Sequence, residues 1–206
     1  LNDGRARAKL EGHEVIQSAP TAYVVDEARG VKNPSGMFCQ RIGVAMHAVA
    51  VKPSPLQNLK LAVERCHLNV IGTQFGAYAS GLSTLTEDEK QIGATVIDMG
   101  GGTTSIAVFL EGHLVHVDVV PVGGFAVTND IARGLSTRLE DAERLKTMHG
   151  SVLVHAADER EILATRPIGD EDEPAHQITR AALNRIIRPR VEEMLELVRD
   201  RLNASG

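Results

Sequence analysis

Residues 93–109 read GATVIDMGGGTTSIAVF, and this stretch constrains the fold more than any other. An apolar run, Ala94 to Ile97, ends in Asp98. Gly100, Gly101 and Gly102 follow, then Thr103, Thr104 and a second apolar run. Two strand-like runs divided by glycines predict a hairpin. Glycines at its tip permit φ > 0 and let backbone N–H groups come close to an anion such as phosphate. Asp98, at the strand end, could hold a metal-bound water. The loop lacks the Gly-Lys-Ser/Thr ending of a P-loop, and a strand pattern rather than a helix follows it, so neither usual nucleotide fingerprint applies. A triple glycine by itself is equally the mark of an ordinary turn.

The chain has 206 residues, enough for one or two domains with a real core. A net charge of −5 and few aromatic residues (3%) argue against a nucleic-acid binder, which needs cationic and stacking surfaces. Cys39 and Cys66 give neither a disulfide framework nor metal-ligand spacing and read as reduced thiols. No run of about 18 apolar residues is present to span a membrane. The first residues, LNDGRARAK, carry no Met and no signal peptide, and the last are Asn-Ala-Ser-Gly. Both ends read as cuts in a longer protein.

Along the chain, residues 13–25 predict a strand interrupted near Pro20, and Asp26–Gly30 and Asn33–Gly36 predict turns. Arg41–Lys52 reads as a buried strand. After Pro53 and Pro55, Leu56, Leu59, Val63 and Cys66 or His67 recur at helical spacing and predict a helix packed across those strands. Thr73–Leu85 reads as a closely packed helix, Thr86–Lys90 as a polar connector, Glu111-Gly112 as a turn and Leu114–Val122 as a third strand. Gly123-Gly124 ends it, and Ala126–Leu135 predicts a helix in which Thr128 or Asn129 caps or back-bonds. Thr137 with Glu140 has the spacing of a capping box for a further helix. Val152–Val154 and Glu161–Ala164 read as short strands, Gly169–Pro174 as an acidic loop. Gln177–Leu202 reads as a long helix with Ile178, Ala182, Ile186, Val191, Leu195, Val198 and Leu202 on one face, kinked or split at Pro189. His113 and His116 point to opposite faces of a strand start and read as poor metal ligands. The order of elements indicates α/β architecture.

Four motifs fall in a fixed order: Asp98-Met-Gly-Gly-Gly-Thr103, Pro121-Val-Gly-Gly124, Val127-Thr-Asn-Asp-Ile-Ala132 and Ala142-Glu-Arg-Leu-Lys146. Glu143 and Lys146, at i and i+3, share a helix face, as surface ion pairs commonly do. In this order the set resembles the actin/Hsp70/hexokinase ATPase fold, an α/β fold related to ribonuclease H. Val63-Glu-Arg-Cys-His-Leu68, Leu85-Thr-Glu-Asp-Glu89, Val120-Pro-Val-Gly-Gly124 and Ile187-Arg-Pro-Arg190 are similar to the FtsA family of bacterial actin homologues.

That resemblance implies a partial actin-like fold: residues 1–70 as subdomain 1C (SHS2-like, for protein contacts), 71–92 as part of 1A, 93–136 as 2A with the phosphate hairpin, and 137–206 as 2B. It implies ATP and Mg²⁺ as ligands. Gly100, Gly101, Gly102 and Thr103 would donate amides to phosphate, Asp98 would order Mg²⁺ through water, and Glu143 and Lys146 would reach ribose or adenine. Gly123 and Gly124 either permit close packing behind the loop or touch ligand. Where Hsp70 relatives carry a Glu-Pro pair that orients the attacking water, this chain has Phe75-Gly76, which implies weak or absent hydrolysis. Arg185, Arg188 and Arg190 would receive the acidic C-terminal tail of FtsZ, since guanidinium forks suit carboxylates.

The implied protein is a cell-division scaffold of the septum. It would form filaments with its own copies, meet other division proteins through 1C, and sit on the cytoplasmic face of the membrane through a C-terminal helix outside this sequence. It would not bind nucleic acid. Rival readings are a small-molecule kinase, for which no catalytic Asp segment is apparent, and a rod-shape or pilus-assembly actin homologue. A small three-stranded sheet with one helix over residues 13–70 favours the FtsA arrangement; a four-stranded-plus-helix 1B insertion contradicts it.

Overall fold

The computed structural model describes residues 12–31, 33–168 and 175–205. The chain divides into two compact units, residues 1–98 with 106–118 and residues 99–105 with 119–206.

In the first unit, β1 (Glu14–Val25), β2 (Ala28–Val31) and β3 (Ile42–Val51) form a sheet in the order β2-β1-β3. β1 and β3 pair antiparallel from Glu14↔Val51 to Val25↔Ile42, and the register shifts between Pro20 and Ala22. Pro20 has no N–H to give the ladder, so the interruption expected there becomes a bulge rather than a break. Asp26 (φ 52) turns the β1–β2 hairpin. Its Oδ1 accepts from the N–H groups of Gln40 (3.0 Å) and Arg41 (2.8 Å), which fastens the intervening loop to the start of β3. The Asn33–Gly36 turn is built as expected, with Ser35 N donating to Asn33 Oδ1 at 2.9 Å.

β3 is not the buried strand its sequence predicted: only Val49 along it is fully buried, and Ile42 and Val44 are exposed. α1 (Pro53–Glu64) begins on a proline preset for the first turn. It buries Leu56 but leaves Leu59 63% exposed, so the expected apolar stripe is mostly outside. A polar tie substitutes, with Lys60 Nζ 3.0 Å from Glu14 Oε1 on β1.

α2 (Gly76–Thr84) starts three residues later than expected. Thr86–Lys90, read as a polar connector of helix-cap composition, opens a short helix α3 (Glu87–Ile92), because Thr86 and Glu89 make a reciprocal capping box. The hairpin is β4 (Ala94–Met99) and β5 (Thr104–Leu110), joined through Glu111 and Gly112, both at positive φ, to β6 (His113–Val120). The sheet order is β4-β5-β6. Ala77, Ala107, Phe109 and Leu114 form the first unit's core. Burying a ring such as Phe109 contributes about 1.5–3 kcal/mol. A Cβ on Gly81 would stand 2.4 Å from that ring, so α2 approaches β5 only because residue 81 has no side chain.

The second unit contains α4 (Gly124–Gly134), α5 (Leu139–His149), α6 (Arg180–Ala204) and a small sheet of β7 (Ile162–Thr165) with β8 (His176–Thr179). Val127, Ile131, Ala142, Leu145, Leu183, Ile187 and Met194 are among its core residues. Thr137 does not cap α5. It is fully buried, donates from Oγ1 to Arg166 O (2.5 Å) and bridges to Pro167. Val152–Val154 is irregular rather than a strand. β8 occupies residues read as the start of the long helix, which begins at Arg180 and continues past Pro189 as a single element. The acidic loop Gly169–Pro174 lies outside the described residues.

Candidate functional site

The glycines of the hairpin tip act differently from the expectation. None of Gly100, Gly101 and Gly102 takes a positive φ. The turn is closed by Gly100 N donating to Thr103 O at 2.9 Å. The carbonyls of Gly100 and Gly101 accept from the N–H groups of Gly124 (2.9 Å) and Phe125 (2.8 Å). Two of the unsatisfied N–H groups at the start of α4 are thus capped by the hairpin, since Gly123 supplies no side-chain cap. The N–H groups of Gly101, Gly102 and Thr103 make none of these bonds. A Cβ would meet nothing within 4 Å at Gly101 or Gly102. Thr103 is exposed beside them, whereas Thr104 is buried and donates to Val122 O at 2.8 Å.

Gly123 is the glycine the geometry demands. A Cβ there would lie 2.4 Å from Gly100 O and 2.6 Å from Gly101 O. Of the two roles open in the sequence, close packing behind the loop is the one Gly123 performs. Gly124 is less confined; its N–H donates to the loop and its carbonyl accepts 3.2 Å from Lys146 Nζ.

Glu143 and Lys146 do share a face of α5, at 2.7 Å, but they are more than a solvated pair. Both turn onto α4, where Lys146 Nζ lies 2.8 Å from Thr128 Oγ1 and Thr128 donates to Glu143 Oε2 at 2.5 Å. Hydrogen bonds from Lys146 and then Thr128 hold the Glu143 carboxyl below its ordinary value, so it stays an ionised acceptor. Beside this pair is a cavity of about 260 Å³, lined by Met99, Gly124, Val127, Lys146, Gly150 and Ile187 among others. Sequence reading missed the cavity and gave Thr128 only a capping or back-bonding role. Gly124 O does lie 3.2 Å from the Thr128 hydroxyl, but the single proton goes to the nearer Glu143 oxygen.

In the first unit, Asp98 is half-buried near the end of β4 and its Oδ2 accepts from Ser80 Oγ at 2.9 Å. Phe75, the residue before α2, packs against the apolar core, so position 75 offers no acid. His116 Nε2 is buried without a partner, and burial followed by the neighbouring His116 lowers the His47 pKa. No group of three or more metal-ligating side chains occurs among the described residues.

The three arginines assigned to a partner are each paired within the chain. Arg185 meets Glu159 at 2.6 Å and Arg188 meets Glu192 at 2.7 Å, both exposed pairs. Arg190 is held by Asp130 of α4 and by Glu193.

A family model described as Cell division protein FtsA matches residues 95–205, and one described as an SHS2 domain inserted in FTSA matches residues 1–50. FtsA of Rhizobium meliloti (strain 1021) is 52% identical over 214 residues, covering 100% of this chain and 48% of that protein. FtsA of Escherichia coli (strain K12) is 37% identical over 190 residues, covering 92% of this chain and 45% of its own. Among solved structures, MreB5 of Spiroplasma citri bound to ADP aligns with a TM-score of 0.61 at 21% identity, over 74% of this chain and 48% of that one. The PilM-PilN type IV pilus biogenesis complex aligns at 0.62 and 17% identity, over 98% of this chain and 48% of its own. The fold is that of the actin-like ATPases. Residues 14–64 form a three-stranded sheet with one helix, the arrangement expected for the FtsA family over residues 13–70. The chain belongs to the FtsA family of cell-division proteins, and it spans about half the length of the curated relatives it matches.

Proposed function

We propose that this chain is the part of a cell-division protein that supplies one side of an ATP site. The observation that carries this reading is the hairpin tip fastened to the start of α4, with three N–H groups outside its own bonding, in the same unit as the Glu143–Lys146 pair. The residues fit the nucleotide: backbone donors suit phosphate, and the cavity by Lys146 suits a base. Gly100, Gly101, Gly102 and Thr103 bind phosphate, Glu143 and Lys146 face the nucleoside, and Asp98 orders Mg²⁺ through water. With no carboxylate at position 75, hydrolysis is slow or absent.

The wider role follows family membership. Residues 1–70 serve as the protein-contact subdomain 1C, 71–92 as part of 1A, 93–136 as 2A and 137–206 as 2B. The full-length protein self-associates into filaments, meets other division proteins through 1C, and links the FtsZ tail to the inner face of the membrane. Among the described residues no helix is long and apolar enough to cross a membrane. Titration with a fluorescent ATP analogue tests the site. The full-length protein should bind, and this 206-residue chain alone should bind far more weakly. Equal affinities would overturn the divided site.

A further inference from the structure

The sheet of the first unit turns one face inward. Gln17↔Val49 and Ala19↔His47 are opposed pairs of the β1–β3 ladder, and Gln17 and Val49 are both buried, so strand alternation puts the His47 side chain on that same face. From it, Gln17 Oε1 accepts the N–H of Phe75, at the start of α2, at 3.4 Å. α2 in turn packs on β5 and β6 through Ala77, Ala107, Phe109 and Leu114. His116 follows Leu114 by two residues along β6 and so shares its side of the strand. Two half-buried imidazoles from two sheets thus meet in one seam, where they act on each other electrostatically and His116 Nε2 is sealed off without a hydrogen-bond partner. Little else there is charged. α2 and β5 offer Tyr78 and no charged residue, and β1 places Ala19 opposite His47. Elsewhere on these elements stand Tyr23 and Glu14 of β1, Lys60 and Glu64 of α1, and His113 and Asp118 of β6, with Asp98 two strands away on β4. Of these groups and His116, it is His116 that bears on His47.

We propose that His47 and His116 form an acid-sensitive latch between the three-stranded sheet and the body built by α2, β5 and β6, shut while both imidazoles are neutral and released when they are protonated. An imidazolium carries two N–H groups and needs an acceptor for each. His116 Nε2 has none, and a second positive charge beside the first is repelled where little water screens it. Burial, and then the charge of His116, hold His47 below the ordinary imidazole value of 6.5. A base kept neutral in the shut seam and able to titrate in the open one draws protons to the open form. The latch is therefore at full strength above the ordinary 6.5 and weakens as pH falls through it toward the lower value of the shut state.

Hydrogen exchange of the full-length protein, read by mass spectrometry at about pH 7.5 and about pH 5.5 and corrected for the intrinsic effect of pH, tests the latch. Opening of β3 and β6 should rise by up to about tenfold at the lower pH, the factor one imidazole gives when only the open form titrates near its ordinary value. The distant α6 should change little. His47→Gln and His116→Gln keep a polar side chain without the titration, and each should open β3 and β6 to a similar extent at both pH values. If a glutamine variant folds poorly, the ring resonance of His47 in isotope-labelled wild type answers instead. It should titrate below 6.5, and a value at or above that overturns the latch. Exchange of β3 and β6 that ignores pH in the wild type overturns it as well. So does a pH response that survives both variants, or an equal loosening of β3, β6 and α6 in acid.

Discussion

Arg190 of α6 closes on Asp130 of α4 as a two-pronged pair, Nε to Oδ2 at 2.5 Å and Nη2 to Oδ1 at 3.2 Å, with both side chains more than two-thirds covered. A guanidinium matches a carboxylate in this way and an ammonium cannot. Arg190→Lys should therefore lower stability by about 1–2 kcal/mol, between the values for exposed and buried pairs, as read by urea unfolding. The same pair complicates any use of Arg190 as a docking residue for an acidic tail. Arg190→Glu sets two carboxylates together and weakens binding even if it only unsettles the fold. The charge swap Arg190→Asp with Asp130→Arg separates the two effects. If Arg190 meets the tail, the swap restores stability without restoring affinity for an FtsZ-tail peptide.

Gly123 should tolerate no side chain. A methyl group 2.4 Å from Gly100 O must push the loop backbone aside. Gly123→Ala should cost about 1–3 kcal/mol, seen as a lower urea midpoint at unchanged slope. Gly101→Ala, in open space on the same loop, is the control and should change the midpoint little.

Asp158 ties the segment that follows α5 to the start of α6. It is 2% exposed, and its Oδ2 accepts from His155 N (2.9 Å) and Asn184 Nδ2 (3.1 Å). The His155 N–H first, then the Arg180 charge and the Asn184 bond, hold its carboxyl below the ordinary 3.8. A depressed folded value means stability that is present above the unfolded value and drains as pH falls through the folded one. Asp158→Asn should be less stable than the parent at neutral pH, and the gap should close on acidification below about pH 4. A gap independent of pH would show that Asp158 acts through shape and not charge.

Thr137→Val keeps the volume and removes the hydroxyl that serves Arg166 O and accepts from Thr165 Oγ1 at 3.0 Å. Leaving those two buried groups short should cost about 1–3 kcal/mol, with Thr137→Ser recovering most of it in the same unfolding assay.

These residues also mark how far the sequence could be read. The hairpin was legible because glycines between two apolar runs admit few alternatives. The α6 stripe was not, because Ile186-Ile187 and Met194-Leu195 are adjacent apolar pairs that leave two faces open. The buried face carries Leu183, Ile187, Met194 and Val198; of the expected stripe only Val198 is buried, and Leu195 is 47% exposed. Thr137 has the spacing of a capping residue, but its burial belongs to tertiary packing that local pattern does not encode. Thr86 and Glu89 carry the same signal and do cap, because nothing competes for them at the surface. At the site, the motif named Glu143 and Lys146. Thr128's part in their bonding depends on how α4 and α5 meet, which no spacing along one helix reveals.

The fastening of Gly100 and Gly101 to the first turn of α4 makes that helix a lever with little slack. Thr128 and Asp130 sit two residues apart, about 200° around its axis, so they look out to opposite sides. One side carries the Glu143–Lys146 pair and the other carries Arg190. A displacement of the tip that keeps its bonds cannot dissipate in a loop, because none intervenes. It reaches Arg190 as a rotation of one stiff rod.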